Sequence, residues 1–301
     1  MTAFPWAVPA AARSFLTGAI DYAGLFPPAQ LALPSAVGNY LAYRSGPEAW
    51  ALGRFVVPVA RLAELEAALS GSERAAEPIM LSVLLGPGTA ADVGVVETFN
   101  RRTADHGARI DAVEVRAESA DAVRAVLAAI SGEWVRYVEV PIQDGNAPAL
   151  DAVVAKGGFA KLRTGGVSED AFPTPELLLR TLRELARRKL PFKATAGLHH
   201  PLRGFYPLTE APDAPATTMY GYLNILLAAL VLWTDDAPGP ALDGLLETDA
   251  ASLSFEQDGL FWRNFSFDLR AIGAVRTDFF HGFGSCSFRE PLDLLPLAGA
   301  R

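Results

Sequence analysis

Residues 159–197 read FAKLRTGGVSEDAFPTPELLLRTLRELARRKLPFKATAG and carry one complete structural repeat. A short β-rich run, Phe159–Arg163, gives way to a polar turn, then to a helical pattern, Pro175–Arg188, and then to a second β-rich run, Phe192–Thr195. Pro175 suits a first helical turn, where its missing N–H is no loss, and Thr174 before it is suited to cap the free amides. Glu184, Arg187, Arg188 and Lys189 belong to the solvated face of that helix. Strand, helix and strand in this order predict a βαβ unit with parallel strands.

The alternation extends in both directions. The other candidate strands are Ala19–Ala23, Arg54–Val57, Ile79–Leu85, Ile110–Arg116, Val135–Ile142 and Phe283–Phe288. Between them lie helical patterns at Ser35–Tyr43, Ala60–Leu69, Ala90–Asp105, Ala120–Ile130, Ala147–Lys156 and Met219–Trp233. Eight strands alternating with helices predict an α/β fold, a single (β/α)8 TIM barrel. The 301 residues exceed the roughly 250 typical of such a barrel, and the excess falls between the seventh helix and the eighth strand. There, within residues 235–280, Ser252–Phe255 and Leu260–Arg263 flank Asp258-Gly259 as a hairpin, and a helix follows from about Asp268 to Arg276. No Ser/Gly-rich linker interrupts the series, so residues 1–301 read as one domain, with 235–280 an insertion expected to bear on access to the active site.

Composition narrows the function classes. Half the residues are hydrophobic and 20% are charged, enough for a large core and against disorder. The net charge of −8 gives no general attraction to a phosphate backbone, which argues against a nucleic-acid partner. Met1 to Ala12 has no basic region and contains Pro5 and Pro9, unlike a secretory signal, and the single Cys286 cannot form an internal disulfide. Both features predict a cytoplasmic chain, with Cys286 a small packing residue in the closing strand. The uncharged stretch Ala214–Thr234 is broken in its first half by Pro215, Thr217, Thr218, Tyr220 and Asn224. What remains is shorter than the roughly 20 residues of a membrane span and reads as a buried helix.

Strand side chains alternate, so parity tells which of them enter the barrel. Outward Val113 and Val115 leave Ala112, Glu114 and Arg116 inside; outward Val138, Val140 and Ile142 leave Tyr137, Glu139 and Gln143 inside. The same reading sends Phe159, Lys161 and Arg163 inward from the sixth strand, Lys193 and Thr195 from the seventh, and Asp21 from the first. Asp21, Glu114, Glu139, Lys161, Arg163 and Lys193 thus gather near strand C-termini, where barrel enzymes carry their chemistry. A purely structural role would be an expensive use of six interior charges.

Two lysines on adjacent strands permit a particular reaction. A neighbouring cation and a poorly solvated pocket lower an ammonium's pKa and free the amine as a nucleophile. Lys161, with Lys193 beside it, can then attack a carbonyl and form an iminium, an electron sink for C–C bond chemistry, while Glu114 and Asp21 move protons.

These runs resemble the deoxyribose-phosphate aldolases, class I aldolases on a (β/α)8 barrel. Phe159-Ala160-Lys161-Leu162-Arg163-Thr164-Gly165 and Phe192-Lys193-Ala194-Thr195-Ala196-Gly197 resemble that family's sixth- and seventh-strand lysine motifs. The resemblance implies Lys161 as the Schiff-base lysine and Lys193 as the lysine that perturbs it. It also implies Glu114 in the proton-relay position and Asp21 as the first-strand Asp. Gly284, Ser285 and Ser287 stand in place of the phosphate-binding Gly-x-Ser-Ser. With Arg163, Thr164, Glu139, Thr195, Gly197 and His199, these complete the expected substrate site. Arg163 replaces a small hydroxyl residue, Glu139 a lysine and Ala196 a glycine; His199-His200-Pro201 and the insertion are foreign to the family. The ligand anion, carboxylate or phosphate, therefore stays open.

The expected activity is a carbon–carbon lyase acting on a small anionic carbonyl compound, with no cofactor and no metal. A homo-oligomer is compatible with the sequence. Two other readings stand beside it: a lyase or isomerase using a divalent metal held by His199 or His200 with Asp21, Glu114 or Glu139, and a barrel that binds an anionic metabolite without turnover. His106 and His281 fall outside the cluster and read as helix-end or surface residues, and Gly86-Pro87-Gly88 as a plain turn.

Overall fold

The computed structural model describes residues 8–70, 78–104, 107–209 and 211–296; His106 lies outside them. Eight strands form a closed, all-parallel barrel: β1 (Ile20–Tyr22), β2 (Leu52–Pro58), β3 (Ile79–Leu84), β4 (Ala108–Arg116), β5 (Val135–Glu139), β6 (Phe159–Arg163), β7 (Phe192–Thr195) and β8 (Phe280–Ser285). They run in sequence order around the barrel, and β8 closes against β1. Helices follow the strands and cover them, as the alternation requires.

The repeat at 159–197 shows why. Ala160, Leu162, Phe192 and Ala194 are fully buried on the outward faces of β6 and β7, which leaves their neighbours to the interior. The helix between, Pro175–Arg187, starts with the Leu177 amide donating to Thr174 Oγ1 at 3.3 Å. Its stripe Leu178, Leu182 and Leu185 is fully buried, the i, i+4, i+7 spacing of one helical face.

Three register shifts alter what the barrel contains. Between β1 and β2 an extra residue frees the Arg54 amide, which donates to Asp21 Oδ1 at 2.7 Å; a Cβ on Gly53 would lie 2.4 Å from that oxygen. Between β3 and β4 the extra residue is Asp111, whose carboxylate takes two 2.7 Å bonds from the Arg54 guanidinium. Between β7 and β8 it is His281. Gly282 beside it has φ +138°, and a Cβ there would stand 2.4 Å from the Ala19 carbonyl oxygen. Such bulges redirect side chains that strict alternation would send outward.

Several expected boundaries and one expected inward residue need correction. β5 ends at Glu139, so Gln143 is an exposed loop residue, and Arg116 sits on the exposed rim paired with Glu118. β8 begins at Phe280 and ends at Ser285, which puts Cys286 just past the strand. Residues 235–279 form a helix, Pro238–Leu246, a three-stranded antiparallel sheet, Leu253–Phe255, Gly259–Trp262 and Phe265–Asp268, and a helix, Leu269–Asp278. This insertion follows a helix and precedes a strand, so it lies at the N-terminal end of the barrel, away from the cavity described below; its sheet packs on the first helix, Ala10–Leu16.

The segment over the C-terminal mouth comes instead after β7. It folds as a hairpin, Gly204–Pro207 with Ala216–Met219. The helix after it therefore starts later than periodicity alone predicts, at Tyr222, and runs to Thr234. Every residue from Tyr222 to Leu232 is buried, and among the described residues no helix is long and apolar enough to cross a membrane.

Candidate functional site

A cavity of about 330 Å³ opens at the C-terminal mouth of the barrel. Glu114, Lys161 and Lys193 form its floor; Arg163, Thr195, Gly197, His199 and Glu290 line one side. Phe26, Pro27, Pro28, Val56 and Leu84 make an apolar wall, and Pro207, Leu208 and Met219 of the mouth segment cover it.

On the floor, five charged side chains alternate in sign. Lys161 and Lys193 occupy paired positions on β6 and β7. Lys161 Nζ lies 2.8 Å from Glu114 Oε2 and 2.9 Å from Glu139 Oε2. Lys193 Nζ lies 2.7 Å from Glu114 Oε1 and 2.5 Å from Asp21 Oδ2. Glu114 is the shared member, held by both ammoniums and by the Ser82 hydroxyl, which donates to Oε1 at 2.7 Å. Glu114 and Lys193 are each 2% exposed, so these charges interact with little screening by water.

The electrostatics differ from the sequence expectation in sign. Burial alone depresses an ammonium, and for Lys161 the charges of Glu114 and Glu139 overcome it, so its pKa is raised. For Lys193 burial is likewise outweighed, by Asp21, Glu114 and Tyr137, and its pKa is raised as well. Burial works to raise the Glu114 carboxyl, but the two lysines hold it well below the usual carboxylate range. Lys193 does not depress Lys161, because a carboxylate stands between the two cations. Both lysines rest as ammoniums.

Beneath this ladder is a second polar layer. Lys193 Nζ lies 5.2 Å over the Tyr137 ring, and the Tyr137 hydroxyl meets His281 Nδ1 at 2.9 Å. His281 Nε2 sits 3.0 Å from the Thr277 carbonyl oxygen. A carbonyl only accepts, so Nε2 carries the proton and Nδ1 accepts from tyrosine. His281 is thus half-buried, with one ring nitrogen bonded into the barrel and the other to the helix before β8. Burial, with Arg276 and Arg54 nearby, lowers its pKa to about 4.

At the rim, His199 Nδ1 faces Ser285 Oγ at 3.4 Å, Cys286 Sγ at 3.5 Å and Glu290 Oε2 at 3.4 Å. Burial lowers His199, but bonding to Cys286 and Glu290 prevails and raises it to about 9. Cys286 is therefore not merely a packing residue, since its thiol lines the cavity beside an imidazolium. His200 lines the cavity too, stacked on Tyr206 at 3.6 Å between ring centroids. Ala196, in the glycine position of the resembled motif, has φ +67°, a left-handed conformation that costs an L-residue roughly 1–2 kcal/mol.

Asp21, Glu114, Glu139, Lys161 and Lys193 are brought together as parity predicts, and Arg163, Thr195, Gly197, His199 and Gly284 line the same cavity. Thr164, Glu139, Ser285 and Ser287 stand behind its wall. Thr164 Oγ1 donates to the Ala196 carbonyl at 2.9 Å, and Ser287 Oγ accepts from the Glu290 amide at 3.2 Å. His199 and His200 do not converge with the carboxylates, and among the described residues no group of three His, Cys, Asp or Glu could hold a metal ion. Parity assigns no site role to Ser82, Arg54, Asp111 or Glu290, and sets His281 outside the cluster. The Phe280-His281-Gly282-Phe283 run signals the earlier start of β8 once His281 is the bulged residue beside Gly282.

No family model and no curated protein matches the chain. What the site can do has to be read from its own side chains.

A titration separates the two perturbed rings. In an NMR pH series, the His199 ring should titrate with a midpoint near 9 and the His281 ring near 4. Glu290→Gln should move the first downward and leave the second in place.

Proposed function

We propose that the protein is a class I aldolase-type lyase that forms a Schiff base between Lys161 and a small anionic carbonyl compound. One observation carries this reading: two nearly buried lysines, paired across adjacent strands, floor a cavity at the catalytic end of the barrel and share one carboxylate. The resemblance of the β6 and β7 motifs to the deoxyribose-phosphate aldolases supports it.

The chemistry follows from the ladder. Lys161 rests protonated, so one proton must leave before its amine attacks. Glu114 and Glu139 both lie within 3 Å of Nζ and offer that proton a short path. Attack on the carbonyl carbon gives a carbinolamine; loss of water, with a proton returned to its oxygen, gives the iminium. The iminium withdraws electrons from the adjacent C–C or C–H bond. Glu114 then serves as the acid–base group at that carbon; Lys193 helps keep Glu114 ionised and holds Asp21 in place. The single cysteine is in keeping with a cytoplasmic setting.

Reductive trapping tests the reading. With a panel of aldehydes and oxo acids plus borohydride, peptide mass mapping should find the reduced adduct on Lys161. A panel that traps nothing at any pH from 7 to 10 would overturn the Schiff base.

A further inference from the structure

We infer that the ligand's single anionic group is a carboxylate gripped by Arg163, and that the substrate is a short oxo acid with an apolar body, not a phosphate ester. The carbonyl part of this inference rests on the Schiff-base reading; the carboxylate part stands on the cavity alone.

The cations facing the cavity are not equally available. Lys161 and Lys193 each hold two carboxylates, and His199 faces Glu290. Among the described residues, Arg163 makes no ion pair. It is exposed at the end of β6, on the same inward side as Lys161 and two residues beyond it, with its guanidinium over Gly166. One free guanidinium fork matches one planar carboxylate in a two-bond contact. Two residues along a strand span roughly 6.6 Å. A carbonyl at Lys161 and a carboxylate at Arg163 are therefore separated by only a few bonds.

The place where a phosphate would be sought is already filled. The Ser287 amide donates to Ser285 Oγ at 3.3 Å, and the Glu290 amide donates to Ser287 Oγ at 3.2 Å, so these two backbone donors after β8 are taken by side-chain oxygens. The Glu290 carboxylate also lines the cavity at this end and already occupies His199, the cation a phosphate there would use. The lining also includes Phe26, Pro27, Leu84, Leu208 and Met219, whose side chains carry no charge to bind a second anion, and its hydroxyls, Thr195 and Thr209, are neutral.

Binding of probes without a carbonyl tests the anion independently of lysine chemistry. By calorimetry on the full chain at pH 7, 3-methylbutanoate should bind at least tenfold tighter than inorganic phosphate or glycerol 3-phosphate. Arg163→Gln should weaken the carboxylate at least tenfold, and Arg163→Lys, which keeps the charge but loses the fork, should recover part of that loss. Phosphate binding equal to or tighter than the carboxylate's, or undiminished carboxylate binding in Arg163→Gln, overturns the inference. Borohydride trapping of acetaldehyde, which has no anion, reports separately on Lys161. Its failure would sink the Schiff base while leaving the carboxylate result readable.

Discussion

Lys161→Met is expected to abolish the borohydride-trapped adduct and to lower carbonyl turnover by roughly 10³-fold or more, because it removes the nucleophile while leaving the cavity walls in place. It also leaves Glu114 Oε2 and Glu139 Oε2 without their ammonium. Breaking a buried pair in this way costs about 3–5 kcal/mol, so the variant should unfold at lower denaturant. Lys161→Arg is the control for folding: it keeps a cation between the two carboxylates and is equally unable to form an imine. Loss of the adduct in both variants, with the arginine form folded, separates chemistry from stability. An undiminished adduct on Lys193 in either variant would assign the Schiff base to the wrong lysine.

The pH dependence of trapping has a fixed sign. Since Glu114 and Glu139 hold Lys161 above the ordinary ammonium value, the free amine is a minor species at neutrality and grows tenfold with each pH unit. With aldehyde in excess, the trapping rate in the wild type should rise about tenfold per unit between pH 7 and 9. A profile flat over that range would mean an amine already free at neutral pH, contrary to the geometry of the ladder.

The barrel and much of its floor were legible because period-2 alternation holds wherever strands pair without interruption. Outward Val113 and Val115 do place Glu114 inside, and Lys161 and Lys193 do face each other. Alternation fails at an inserted residue, which is why it gives no role to Asp111 and sets His281 outside the cluster, both being bulge residues. The hairpin over the mouth is hidden in the sequence for another reason: the segment around Pro207 to Pro215 is broken by proline and lacks a strand-length alternating run. The direction of the lysine shifts was beyond parity altogether. Alternation puts two cations side by side but cannot show that Glu114 aims one oxygen at each, and that placement reverses the sign.

Glu114→Gln tests that placement most directly, because its effects run in opposite directions. The amide keeps the shape of Glu114 but removes the charge shared by the ladder, leaving two ammoniums with Asp21 and Glu139 alone. Both lysines then become easier to deprotonate, and adduct formation at pH 7 should accelerate about tenfold, one pKa unit's worth. Turnover should fall by roughly 10²–10⁴-fold, because the carboxylate that moves the proton at the carbon next to the iminium has become an amide. A residue with a structural role only would slow both steps together. Stability follows from linkage. Glu114 is depressed in the folded state, so its contribution is present above about pH 4.5 and is lost as pH falls below that. The lysines are raised, so theirs is present below about pH 10.5 and is lost as pH rises beyond it. Glu114→Gln should therefore be less stable than the wild type at pH 7, by about 3–5 kcal/mol, and should lose less on acidification. Urea unfolding at pH 7 and pH 3 reads both: the gap between the two proteins must narrow at the lower pH, and a constant gap would mean that Glu114 is not ionised in the folded barrel.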